Sequence, residues 1–265
     1  MPTVSTSTAF HALHHTGTPF LLPNAWDFAS AAVLAEAGFA AIGTTSLGVA
    51  LAHGLPDGAG RTRTQTLDLA RLLRHVPTMV TVDVEGGFSD DPAAVGALAA
   101  ELAAAGAVGL NLEDGRPDGS LSDPGLHQDK IRAIKQAAPD LFVNARTDTH
   151  WLAERPPPIS ATLTRVAAYR EAGADGVFVP GLVDENGVRT VVAEAGLPVN
   201  VLLAPLHRLS WLGELGVARV STGSMLFRAA MHAVAGTALA ARDSEPITQG
   251  LPTYADVARL TDPTP

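Results

Sequence analysis

Acidic residues stand in pairs where short apolar runs of this chain end. Asp83 and Glu85 follow Met79–Val82, and Glu113 and Asp114 follow Val108–Leu112. Side chains two positions apart on a strand share a face, so Asp83 and Glu85 are expected side by side. Carboxylates converging there, with no histidine or cysteine beside them, favour a hard cation held largely through water, Mg²⁺ first and Mn²⁺ second. The plainer reading makes them helix caps or turn formers, above all Asp114, which precedes Gly115. Arg146 ends another run, within Asn144-Ala145-Arg146-Thr147-Asp148. Its planar fork suits a substrate carboxylate or a developing enolate oxygen. An internal ion pair with Asp148 or Glu113 is the alternative, and would hold the guanidinium in place. Thr44-Thr45-Ser46 offers hydroxyl and backbone donors to an anion. Ser221-Thr222-Gly223-Ser224 reads as a phosphate cradle before a helix or as a simple cap by Ser224 or Thr222. His11, His14 and His15 are expected in solvent. His53 and His127 lie in long connections where a proton donor could close over a substrate; His150 and His207 lie near run ends.

The elements that must position these residues repeat. Eight β-prone runs, roughly Pro19–Leu22, Phe39–Ile42, Met79–Val82, Val108–Leu112, Leu141–Val143, Gly176–Val179, Val199–Leu203 and Ala218–Val220, each end in polar or turn residues and lead into a helical stretch. That alternation predicts a closed (β/α)8 barrel with its active site at the carboxyl ends of the strands. Helix signals fit: Val95, Leu98, Leu102 and Ala105 share a stripe, opened by Asp91-Pro92 and closed by Gly106. The connections Gly48–Arg61 and Gly115–Leu126 are the long ones on the catalytic face, expected as lids or binding loops. Residues 1–265 read as one barrel domain, the barrel about 19–242 and a tail about 243–265 with a short helix near Tyr254–Leu260.

Composition narrows the class. The chain has 265 residues, 46% hydrophobic and 17% charged, with a formal net charge of −9 and no cysteine. An acidic balance argues against nucleic acid or an acidic membrane as partner. Disulfides, thiolate metal sites and a cysteine nucleophile are excluded. No apolar run approaches the ~20 residues needed to cross a bilayer, and no signal peptide is visible, so a cytoplasmic enzyme is expected.

Asp83-Val84-Glu85-Gly86-Gly87-Phe88, Gly109-Leu110-Asn111-Leu112-Glu113-Asp114-Gly115 and Asn144-Ala145-Arg146-Thr147-Asp148 together resemble the phosphoenolpyruvate mutase/isocitrate lyase superfamily. Leu22-Pro23-Asn24-Ala25-Trp26-Asp27 and Ala172-Gly173-Ala174-Asp175-Gly176 resemble it too, so the likeness runs over about residues 21–260. The resemblance implies a barrel in a dimer of dimers, with the eighth helix swapped between paired subunits. It implies Mg²⁺ bound directly by Asp83, with Glu85, Glu113 and Asp57 holding metal-bound waters. Thr45, Ser46 and Leu47 would contact a 2-oxo acid, and Arg146 its carboxylate or oxyanion. The departures bear on chemistry. Lyases of the family carry Lys-Lys-Cys-Gly-His after strand four, where this chain has Gly115-Arg116-Pro117-Asp118-Gly119-Ser120-Leu121-Ser122-Asp123. The mutases' Lys-x-Asn is missing, Glu85 replaces an aspartate, and Pro180 stands where relatives have His or Glu.

The leading expectation is therefore a Mg²⁺-dependent lyase acting on a small 2-oxo or 2-hydroxy dicarboxylate through a pyruvate-type enolate. Decarboxylation of an oxaloacetate-like acid suits it best, because loss of CO₂ needs no general base. A phosphoenolpyruvate/phosphonopyruvate mutase or P–C hydrolase comes second, and a non-enzymatic 2-oxo acid binding protein third.

Overall fold

The computed structural model describes residues 5–152, 157–205, 207–247 and 250–261. Nine parallel strands form one sheet: β1 (Phe20–Leu22), β2 (Asn24–Ala25), β3 (Ala41–Thr44), β4 (Met79–Asp83), β5 (Gly109–Glu113), β6 (Phe142–Arg146), β7 (Gly176–Phe178), β8 (Val199–Leu202) and β9 (Arg219–Ser221). β1 is the expected first strand; Pro23, which has no N–H for the ladder, separates it from β2, which lies beyond the expected run. β1 pairs with β9 and β2 pairs with β3, so the two pieces close the eightfold barrel.

The expected helices occupy their places: α2 (Phe28–Glu36), α4 (Arg63–Leu73), α5 (Pro92–Ala104), α6 (Pro124–Ala137), α7 (Ile159–Glu171), α8 (Glu185–Ala195), α9 (Leu209–Glu214), α10 (Met225–Arg242) and α11 (Tyr254–Ala258). Asp27, Asp91, Asp123 and Asp184 each cap a helix with a side-chain oxygen, satisfying backbone N–H groups of the first turn. Apolar side chains of these helices pack on the outward faces of the strands, where Leu98, Leu102, Ile131 and Ile134 are fully buried beside Val82, Leu110 and Leu112.

Two helices go beyond the expectation. α3 (Ser46–Ala52) occupies the start of the stretch read as a long loop. α1 (Thr6–Leu13) covers the amino-terminal end of the barrel, with Phe10 fully buried edge-on against Phe20 and Phe142. His14, expected in solvent, is 6% exposed and stacks on Phe142 at 4.0 Å. Its Nδ1 bonds the Phe10 carbonyl at 3.0 Å, and burial, aided by the buried Arg219 cation, lowers its pKa to about 3.

The barrel interior is polar at mid-height. Thr81, Asn111, Asn144, Asn200 and Arg219 are buried on the strands, where branched aliphatic side chains usually stand.

Candidate active site

A cavity of about 430 Å³ opens at the carboxyl ends of the strands, as the barrel rule requires. Its lining includes Thr45, Ser46, Leu47, Asp57, Asp83, Glu113 and Arg146, seven of the eight residues expected from the sequence. Glu85, the eighth, lies just behind it, in a smaller adjoining pocket that Glu113 also lines.

Glu85 departs from the expected side-by-side geometry. β4 ends at Asp83, and Glu85 takes a left-handed φ of 49° that ends strand alternation. Its carboxylate turns to the loop before α4, accepting from Thr62 Oγ1 at 2.6 Å and Gly60 N at 2.8 Å. Burial raises its pKa, against those two donors. Asp83 has looser contacts: Ser46 N at 3.4 Å and Glu85 N at 3.2 Å. Among the described residues no cationic side chain pairs with it.

Arg146 is 2.7 Å from Glu113 Oε2 and grips Asp148 with two parallel bonds, Nε to Oδ1 at 2.6 Å and Nη2 to Oδ2 at 3.1 Å. Both ion pairs left open by the sequence are therefore present, and the guanidinium still lines the cavity, 5.7 Å from the Phe178 ring centre. Burial raises the pKa of Glu113 to about 8, with Asp83, Asp148 and Glu85 adding to the rise and Arg146 opposing it. Asp57 is raised by burial and by Asp83, while the Ser46 hydroxyl lowers it. The mouth thus carries more negative charge than Arg146 neutralises.

Asp114 is neither a turn former nor a ligand. It is fully buried and accepts from Tyr169 Oη at 2.6 Å, Arg165 Nη1 at 3.0 Å and Asp148 N at 2.8 Å. It holds Asp148, which holds Arg146. Gly115 beside it has no room for a side chain: a methyl there would land on Asp148 Oδ2 and 3.2 Å from Asp148 Cγ.

The stretch Ser221–Ser224 is neither a free phosphate cradle nor a side-chain cap. Asn24 Oδ1 takes the N–H groups of Thr222 at 3.1 Å and Gly223 at 2.8 Å, while Ser224 makes no capping bond. None of His53, His127, His150 and His207 lines the cavity. His127, expected in a long connection, is on α6, buried against Tyr169, and its pKa is lowered by burial to about 4. The loop after β5 instead folds into a small hairpin, with a bridge between Gly115 and Leu121 and Arg116 paired to Asp90 at 2.6 Å. It supplies Gly115, Arg116, Pro117 and Gly119 to the cavity wall, which Pro180 and Phe178 also line.

Among the described residues no three acidic or histidine side chains converge tightly enough to cage a metal ion directly. Mg²⁺ rarely takes a full protein cage. It keeps several waters around one or two carboxylates, so an unpaired Asp83 with Glu113, Glu85 and Asp57 at greater range fits this ion.

Residues 10–242 match the model of the phosphoenolpyruvate phosphomutase family. The chain belongs to the phosphoenolpyruvate mutase/isocitrate lyase superfamily. It is 46% identical over 255 residues to an uncharacterised protein of Mycobacterium tuberculosis, covering 96% of each chain. To 2-methylisocitrate lyase of Bacillus subtilis it is 31% identical over 226 residues, covering 80% of this chain and 73% of the lyase. Among solved structures, that of a 2,3-dimethylmalate lyase superposes with a TM-score of 0.85 at 25% identity, over 98% of this chain and 96% of the other. The superfamily's barrel, with its lyase and mutase chemistry at the strand ends, is the frame for the cavity.

Proposed function

We propose that this protein is a Mg²⁺-dependent carbon–carbon lyase acting on a small 2-oxo or 2-hydroxy dicarboxylate, and that decarboxylation of an oxaloacetate-like acid is its reaction. The observation that carries this reading is Arg146 in the cavity wall. Two of its five N–H groups go to Asp148 and a third faces Glu113, leaving one on each terminal nitrogen for a substrate carboxylate. Mg²⁺ at Asp83, with Glu85, Glu113 and Asp57 as partners of its waters, would polarise the 2-oxo group as a Lewis acid. Thr45, Ser46 and Leu47 at the start of α3 flank the same space. When the bond to the departing carboxyl group breaks, its electron pair enters the enolate, CO₂ leaves, and solvent returns a proton to carbon to give a pyruvate-type acid. The step needs no protein base. Retro-aldol cleavage would need one, and among the described residues the cavity lining holds no histidine, lysine, cysteine or tyrosine, while Glu113 and Asp148 are committed to Arg146. Phosphoryl transfer asks for cationic support, yet the other cation in the lining among the described residues, Arg116, is paired with Asp90.

The assembly proposed is a dimer of dimers with α10 exchanged between subunits. Phe227 alone of this 18-residue helix is buried, while Met231, Val234 and Leu239 are 46%, 64% and 48% exposed. Barrel and tail are read as one domain, in the cytoplasm; among the described residues no helix is long and apolar enough to cross a membrane.

The test is to offer oxaloacetate, 2-methylisocitrate, alkylmalates and phosphonopyruvate to the Mg²⁺-loaded protein and follow pyruvate. Release from oxaloacetate is expected. Conversion of phosphonopyruvate alone would favour the mutase or hydrolase, and binding without turnover a sensor.

A further inference from the structure

Arg219 stands in β9, fully buried, and among the described residues no carboxylate lies within salt-bridge range of it. Burial lowers its pKa to about 9, opposed by Asp83. Its Nη2 bonds Asn111 Oδ1 at 3.0 Å, and Asn144 Nδ2 bonds the same oxygen at 2.9 Å. A guanidinium can only donate, so the Asn111 atom facing it must be the carbonyl oxygen. This fixes the orientation of the amide. With Oδ1 saturated from below, Nδ2 and its two hydrogens take the opposite side.

That side is the active-site cavity. Asn111 is in its lining, and β5 sets Asn111 directly beside Asp83 of β4. Among the described residues Nδ2 donates to no protein group, so it is a free neutral donor in the floor of a pocket walled by carboxylates.

We infer that Asn111 Nδ2 is a substrate-binding donor, giving a hydrogen bond to a carboxylate or 2-oxo oxygen of the bound acid, and that Arg219 and Asn144 are positioning residues that keep the amide turned this way. The inference rests on the proposed function for the class of ligand. Its origin explains the buried cation: Arg219 holds the one amide orientation that presents a donor, and a carboxylate in its place would remove that demand.

The test separates binding from stability. Asn111→Asp keeps the shape, gives Arg219 a counter-charge and presents oxygen where Nδ2 stood. Asn111→Leu strands Arg219 and presents nothing. Oxalate is the probe, titrated calorimetrically into the full chain at saturating Mg²⁺, with Mg²⁺ binding measured separately. Both variants should bind oxalate roughly tenfold to a hundredfold more weakly, the loss expected for one hydrogen bond to a charged group. Their melting temperatures should move in opposite directions, up for Asn111→Asp and down for Asn111→Leu, and Mg²⁺ affinity should not fall in either. A purely structural Asn111 would make oxalate affinity follow stability. Parent-like oxalate affinity in Asn111→Asp would overturn the inference, as would failure of the parent to bind oxalate. A parent that binds oxalate but turns over no 2-oxo acid refutes the proposed reaction and leaves the floor donor to be judged by the two variants.

Discussion

Acid should strain this fold at His14, and replacing it by phenylalanine should remove a measurable part of the pH dependence of stability. The ring is stacked on Phe142 at the closed end of the barrel, and burial lowers its pKa from 6.5 to about 3. The unfolded chain therefore binds a proton near pH 6.5 that the folded chain refuses until far lower, so stability present above pH 6.5 is lost as pH falls towards 3. Between about pH 7.5 and pH 5 this linkage removes about 2 kcal/mol. His127, lowered to about 4, behaves alike and removes about 2 kcal/mol over the same interval. Glu113 works the other way. Its carboxyl is raised to about 8, so its cost in the folded state is relieved as protons return below that pH. The parent's curve alone is thus a poor measure, and the difference between parent and variant is the useful one. Guanidinium unfolding of metal-free parent and His14→Phe, followed by circular dichroism at both pH values, should show the variant losing about 2 kcal/mol less than the parent. Phenylalanine changes baseline packing, but the slope with pH is independent of that offset. Equal pH slopes in the two proteins would refute the reasoning, and would mean that His14 is hydrated.

Gly115→Ala should displace Asp148 and loosen its two-bond grip on Arg146, lowering catalytic efficiency by about 2 kcal/mol or more, one to two charge-assisted hydrogen bonds; parent-like kinetics would show that Arg146 does not need Asp148. Arg146→Lys keeps the charge but not the fork, so kcat/KM should fall by at least about 2 kcal/mol, while unchanged kinetics would remove Arg146 from the chemistry. Asp83→Ala should abolish calorimetric Mg²⁺ binding. Parent-like Mg²⁺ affinity would place the ion elsewhere.

The barrel was legible because its strands are apolar runs that stop at polar residues, and because Asp27, Asp91, Asp123 and Asp184 announce helices. α3 was hidden: Thr45 gives no side-chain capping bond, and Gly48 breaks the pattern. Gly48 is there because a Cβ would come within 2.6 Å of Trp26 Cβ, a long-range contact that local sequence does not record. Asp83, Glu113 and Arg146 could be placed from strand register, since each closes a run. Glu85 could not, because its turn away from Asp83 depends on Gly60 and Thr62 arriving from another loop. Asn111 and Arg219 gave a signal that periodicity discards: polar residues within apolar runs, which on a barrel face inward and must be satisfied there.

Because Pro23 divides the first strand, the barrel's seam is held by three paired residues on one side and two on the other. Asn24 stitches across it, bonding Thr44 O at 2.8 Å on one flank and the Thr222–Gly223 backbone on the other. The seam is therefore also cavity wall, since Asn24, Ser221 and Gly223 all line it. A ring of strands opens more readily where its ladder is short, so amide hydrogens here should exchange before those of β5 and β6, which share five paired residues. A ligand that fills the cavity spans both edges of the gap. Occupancy should accordingly be recorded as slowed exchange at Thr222 and Gly223, giving the protein a latch that its substrate fastens.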